Sequence, residues 1–126
     1  MHKQKLLCLT FWAISAALLI APAVQAQNYP VKPVRIVVPT APGGGTDLIG
    51  RLLAQNLSSQ LGQQFMVDNR GGAGTTIGTA AVAKSPADGY TLAVAAAGPM
   101  AVNPSLYEKL PYDPLKDFAP ITNMVK

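Results

Sequence analysis

Residues 34–61 read VRIVVPTAPGGGTDLIGRLLAQNLSSQL, and this succession of apolar run, triple glycine and amphipathic segment constrains the fold more than any other feature. Residues 34–39 (VRIVVP) are β-branched and of strand length, with a proline, which lacks an N–H, where pairing should stop. Gly43, Gly44 and Gly45 each lose more backbone entropy on folding than any other residue would, so the turn needs a reason to hold all three. From Thr46 to Gly62, Leu48, Ile49, Leu52, Leu53, Leu57 and Leu61 recur at helical spacing and predict one apolar stripe. Thr46 suits a helix cap, Asp47 complements the positive end of the helix dipole, and Gly62 suits a left-handed stop.

The same alternation continues. Residues 64–68 (QFMVD) predict a second strand, NRGGAGTT (69–76) a second glycine-rich turn, and 76–84 a weaker helix that Ser85-Pro86 ends. PADG (86–89) is a turn, and residues 90–97 (YTLAVAAA) predict a third strand. A β-α-β-α-β order implies an α/β fold with a mostly parallel sheet, joined by right-handed crossovers. If the chain starts in the middle, moves out one place and returns past the first strand, a crevice opens between strands one and three. Ligands bind beyond the carboxyl ends of strands at such a switch point, where PTAPGGGTD (39–47) would lie. After Gly98, Pro99, Pro104, Pro111 and Pro114 allow a helical turn or two within 101–110, and Tyr107 and Tyr112 are expected to pack this strap onto the sheet.

Residues 1–26 are set apart from the fold. His2, Lys3 and Lys5 precede the apolar run 6–20, and Pro22 with Val24-Gln25-Ala26 resembles a small-residue cleavage site, so a secretory signal cut after Ala26 is expected. A retained membrane anchor is the rival reading, because 6–24 holds no charge. Cys8 and His2 both lie in this leader, which leaves residues 27–126 without the thiolate or imidazole needed for those kinds of catalysis or metal binding. Removal of Lys3 and Lys5 lowers the formal charge from +4 to +2, with no clustered basic stripe to suggest nucleic acid as a partner. The final residues, FAPITNMVK (118–126), form an apolar run without a closing turn and read as cut off.

A glycine-rich turn before a helix leaves backbone N–H groups accessible, and the first-turn donors add partial positive charge. The turn at 39–47 holds no Lys or Arg, so it suits a carboxylate better than a triphosphate. Neither GGGTDLIG (43–50) nor NRGGAGTTIG (69–78) has nucleotide-binding glycine spacing. Glycines at such turns also serve tight packing, and both readings stay open for 43–45 and 71–74. Arg70 is a candidate partner for a ligand carboxylate or a surface ion pair. Asp47 reads as a device of the helix start, so Asp47→Asn is expected to change ligand binding little.

The stretch from YPVKPVRIVVPTAPGGGTDLIG (29–50) through QFMVDNRGGAGTTIGTAAVAKSPADGYTL (64–92) to NPSLYEKLPYDPLKDFAPIT (103–122) resembles the substrate-binding proteins of tripartite tricarboxylate transporters, the Bug family of periplasmic receptors. The resemblance implies a type II periplasmic-binding-protein fold, with two α/β lobes closing on a small carboxylate or dicarboxylate. It implies no catalysis and no cofactor, a periplasmic location, and membrane subunits of the transporter as partners. Residues 27–126 would form the N-terminal part of lobe one, ending near the crossover to lobe two. The ligand contacts it implies are Thr40, Ala41, Pro42, Gly43, Gly44, Gly45, Thr46 and Asp47, with Asn69 and Gly72 from the second turn and Ala97 and Gly98 after the third strand. AAAGPM (95–100) departs from many relatives, which carry Ser, Thr or Asn there, and so weakens the case for side-chain contacts. Two alternatives accompany this reading: an α/β enzyme binding a nucleotide or phosphorylated substrate at the glycine turn, and a truncated receptor without function.

Overall fold

The computed structural model describes residues 28–124, so the expected signal segment 1–26 lies outside the described residues. The chain forms β1 (Val34–Val38), α1 (Gly45–Leu61), β2 (Phe65–Asn69), a 3₁₀ turn at Ala73–Thr75, α2 (Thr76–Ala83) and β3 (Thr91–Ala93). A π-helical stretch at Gly98–Val102 then runs into α3 (Asn103–Leu106).

The sheet has the order β2-β1-β3, with both pairings parallel. Val34 pairs with Phe65 and Val38 with Asn69 on one side, and Arg35 pairs with Thr91 on the other. The parallel α/β sheet is as expected, and the strand order is the one the sequence allowed conditionally, with β1 in the middle and a reversal of direction beside it. Val34, Ile36, Val37 and Val38 are all buried. Burial of such side chains contributes roughly 1.5–3 kcal/mol each, which makes β1 the core of the layer. Val34, Ile36 and Val38 cluster with Ala54 of α1, Phe65 and Val94. Val37 faces the other way and, with Gly78, Thr79 and Val82 of α2, lines a small crevice. The two helices therefore cover opposite faces.

Three expectations change. The third strand stops at Ala93 instead of 97. Val94 still donates its N–H to the Val37 carbonyl at 3.0 Å. In the return row, Arg35 donates to the Tyr90 carbonyl, and two steps on the donor would be residue 39. Pro39 has no N–H, so the ladder cannot continue. The predicted leucine stripe of α1 is also rotated. Its buried positions are Asp47, Gly50 and Ala54, with Leu53 and Leu57 partly buried, while Leu48, Leu52 and Leu61 are exposed. Small residues set this face because the helix lies close to the sheet: a Cβ on Gly50 would stand 2.7 Å from Val38 Cγ2. Finally, Tyr112 is buried and donates to the Pro99 carbonyl at 2.8 Å, whereas Tyr107 is 43% exposed and covers the Gly74 turn instead of the sheet.

Gly78 is the tightest approach of helix to strand. A Cβ there would lie 2.5 Å from the Arg70 carbonyl oxygen and 2.8 Å from Pro39 Cα, both backbone atoms that cannot rotate away. Gly45, by contrast, would meet nothing within 4 Å. Gly78→Ala should lower the stability of the chain by about 1–3 kcal/mol despite alanine's better helix propensity. Gly45→Ala should change it by less than about 0.5 kcal/mol. Urea denaturation of both variants checks the pair, and equal losses would contradict this packing.

Candidate functional site

The carboxyl ends of β1, β2 and β3 lead into three connecting segments, and side chains brace them to one another. Residues 40–44 form the first. Gly43 has φ +89°, a left-handed conformation that side chains disfavour, so this glycine is required by its backbone. Gly44 is extended, at φ −84° and ψ 170°, and caps α1 without any side-chain hydrogen bond. Thr46 is therefore inside the first turn and does not cap it, contrary to the expectation from sequence. A hydroxyl caps by standing before the helix with extended backbone, and Gly44 has taken that place.

Asp47 is the centre of the site. Its side chain is 5% exposed, and each carboxylate oxygen is satisfied by named donors. Oδ2 accepts from the Gly43 N–H at 2.9 Å and from Arg51 Nε at 3.0 Å, and Oδ1 accepts from Asn69 Nδ2 at 2.9 Å. Asn69 also accepts from Arg51 Nη2 at 3.2 Å and donates to the Thr40 carbonyl at 3.4 Å. One carboxylate thus ties the first loop, the first helix and the end of β2 together. The Arg51 guanidinium, followed by the Gly43 N–H and the Asn69 amide, lowers the Asp47 pKa from 3.8 to about 2.

With Gly43 engaged by Asp47, the next four N–H groups differ from it. Among the described residues, the amides of Gly44, Gly45, Thr46 and Asp47 donate no hydrogen bond, and the helix ladder begins only with Leu48 N–H to the Gly44 carbonyl at 3.0 Å. The first turn of any helix leaves such donors, and they carry the positive end of its dipole. Glycine keeps their surroundings clear. A Cβ on Gly43 or Gly45 would meet nothing within 4 Å, and one on Gly44 only the Ala41 carbonyl oxygen at 4.0 Å. Packing therefore does not explain Gly44 and Gly45. Thr40 Oγ1, two residues before Pro42, is buried without a partner among the described residues.

The second turn is built on the opposite principle. Gly72 and Gly74 have φ +122° and +60°, and Cβ atoms on them would lie 2.7 Å from Ile77 Cδ1 and 2.8 Å from Tyr107 Oη. Gly71 would meet the Ala41 nitrogen at 3.2 Å, so this turn lies against the first loop. Its glycines serve conformation and packing. Arg70 donates from Nε to Asp68 at 2.8 Å, which makes it one half of a surface ion pair. Asn103, buried, donates to the Gly74 carbonyl at 2.9 Å and so fastens the segment after β3 to the second turn.

Of the residues expected at the site, Thr40, Gly43, Asp47 and Asn69 are joined by direct hydrogen bonds, Gly44 ends the same loop, and Gly45 and Thr46 open α1. Ala41 and Pro42 are exposed on it. Gly72 belongs to the packed turn, and Ala97 and Gly98 open the helical stretch beyond β3. Sequence reasoning missed Arg51 and Asn103. The i,i+4 spacing of Asp47 and Arg51 on one helix was a signal for the first. Nothing in the sequence marks Asn103 as a bridge between two distant segments. Among the described residues, no group of three or more His, Cys, Asp or Glu side chains could hold a metal ion.

Comparison with known proteins fits this arrangement. The family described as "Tripartite tricarboxylate transporter family receptor" matches residues 49–126. That match spans more than half of the chain. The chain belongs to the tripartite tricarboxylate transporter receptor family. Protein BugT of Bordetella pertussis is 45% identical over 123 residues, 97% of this chain and 37% of BugT, so the glycine turn lies within the aligned part. A solved periplasmic transporter superposes with a TM-score of 0.74 at 53% identity, covering 75% of this chain and 32% of that one. MatC from Rhodopseudomonas palustris, solved with bound malate, gives a TM-score of 0.69 at 41% identity over 73% of this chain and 31% of its own. The chain thus spans about a third of the length of the receptor-family proteins it matches.

The Asp47 network sets a pH dependence for this member of the family. A carboxyl whose pKa falls from 3.8 to about 2 on folding stabilises the fold above the unfolded value, and that contribution is lost as the pH falls through 2. Asp88 and Asp113 are lowered too, chiefly by accepting from the N–H groups of Tyr90 and Leu115, and act with the same sign. Urea midpoints should therefore fall between pH 4 and pH 2, and Asp47→Asn should be less stable than the parent at pH 7 with a shallower fall. An Asp47→Asn variant whose midpoint tracks the parent through that interval would contradict the network.

Proposed function

We propose that the chain is the first part of lobe one of an extracytoplasmic solute receptor, which binds a small organic carboxylate or dicarboxylate for uptake by a tripartite tricarboxylate-type transporter. The observation that carries this reading is the row of unpaired amides from Gly44 to Asp47, held open at the carboxyl edge of the central strand. Such donors match the two oxygens of a carboxylate, and no reorganisation is needed when it arrives. Thr40 Oγ1, in the same loop, is a buried polar atom without a hydrogen-bond partner among the described residues. Family membership and the malate bound to MatC support the ligand class. A second solved relative, from R. palustris with adipate, is 44% identical over 69% of this chain with a TM-score of 0.67, and supports a dicarboxylate of longer spacing equally.

In this reading residues 1–26 are a signal peptide removed on export to the periplasm, the second lobe closes over the ligand's far end, and transporter membrane subunits take the solute onward. The protein performs no catalysis. A ligand that binds only the folded state adds about 2.7 kcal/mol at a hundred times its dissociation constant. Malate or adipate should accordingly raise the melting temperature of the complete two-lobed receptor that carries this sequence, and ATP should not. Gly44→Val is a clean probe of the site, because its extended backbone accepts a β-branched residue and its Cβ projects into open space. The variant should keep the parent's melting temperature without ligand and lose the shift. A shift with ATP alone would favour an enzyme, and an undiminished shift in Gly44→Val would move the ligand elsewhere.

A further inference from the structure

We infer that the Asp47 carboxylate is a positioning group of the receptor and not a contact of the ligand, which meets only the main-chain N–H of this residue: with Arg51 and Asn69 the carboxylate sets the row of amides that the anion meets. The inference rests on the receptor reading above and reverses the expectation that Asp47→Asn leaves binding almost unchanged. An acidic side chain next to an anion site is a liability unless its charge is spent elsewhere. Here both oxygens are taken, by Gly43, Arg51 and Asn69 at 2.9–3.0 Å, in a position almost closed to water.

Three consequences follow from those contacts. First, the Gly43 N–H is turned to Asp47 and removed from the row, so the ligand's donors begin at Gly44. Second, that bond holds Gly43 in its left-handed conformation and so sets the direction in which the chain enters Gly44, whose carbonyl then accepts from the Leu48 N–H to start α1. Third, Asn69 carries the clamp across to β2 and the Thr40 carbonyl, so the loop keeps its place relative to the sheet as well as to α1. Arg51 balances the charge that would otherwise repel the ligand. The glycines of this loop have more backbone freedom to lose than other residues would. A single carboxylate removes that freedom before the ligand binds, which favours affinity by preorganisation.

The test uses the complete two-lobed receptor that carries this sequence, with amide hydrogen exchange and calorimetric titration with malate. In Asp47→Asn the Gly43 amide should exchange at least about tenfold faster while the amides of Val37 and Val38 in β1 keep their protection, and malate affinity should fall roughly tenfold or more. Arg51→Met should show the same pair of effects and Arg51→Lys should recover part of each, which also covers the case in which Asp47→Asn does not fold. Fast Gly43 exchange with undiminished affinity would overturn the inference, as would reduced affinity with Gly43 protection intact, since the carboxylate would then act on the ligand directly. A complete receptor that binds neither malate nor adipate overturns the receptor reading and this one together; one that binds, with variants that bind as tightly, overturns this one alone.

Discussion

A carboxylate buried at the end of a parallel strand must be satisfied on both oxygens, and the way Asp47 is satisfied determines the shape of the whole carboxyl edge. Its three donors come from the loop before α1, from the next turn of α1 and from the end of β2. Charge-assisted bonds of this kind are short and directional, so they hold three segments at once. The brace extends further through Asn103, which bonds the Gly74 carbonyl and brings the segment after β3 under the same restraint. The edge where a ligand would bind is thereby coupled, residue by residue, to the central strand.

The two glycine turns look alike in sequence and differ in physics. Gly71, Gly72, Gly74 and Gly78 are surrounded: each would bring a Cβ against the first loop, Ile77, Tyr107 or Pro39. Gly44 and Gly45 face open space in ordinary backbone conformations, where almost any residue would fit the fold. A position that the fold does not require to be glycine, yet that is glycine beside free amide donors, is best explained by what must approach it. This contrast separates packing from binding, which spacing in the sequence could not do.

Topology was legible because it follows from local patterns. The β-branched run at 34–38, the helical segments and the two turns fix the order β-α-β-α-β, while the place of β1 between β2 and β3 was only one arrangement compatible with right-handed crossovers and is seen in the structure. The helix face was not legible. Leucines at helical spacing suggested a stripe including Leu48 and Leu52, but close approach to β1 admits Gly50 and Ala54 and leaves those leucines outside. The extent of β3 depended on a missing donor at Pro39 in its neighbour. Asp47 was recognised as belonging to the helix start, while its bonds to Asn69 across the fold depend on three-dimensional placement, as does the tie from Asn103 to Gly74.

The central claim is that a carboxylate meets the amides of Gly44, Gly45, Thr46 and Asp47. The most direct measurement is a titration of the ¹⁵N-labelled complete receptor that carries this sequence with malate, followed in the amide proton and nitrogen shifts of every residue. The account predicts the largest, saturable shifts at Gly44–Asp47, with Gly43 moving little because its N–H already belongs to Asp47. Saturable shifts centred elsewhere, with those four amides unmoved, would contradict it.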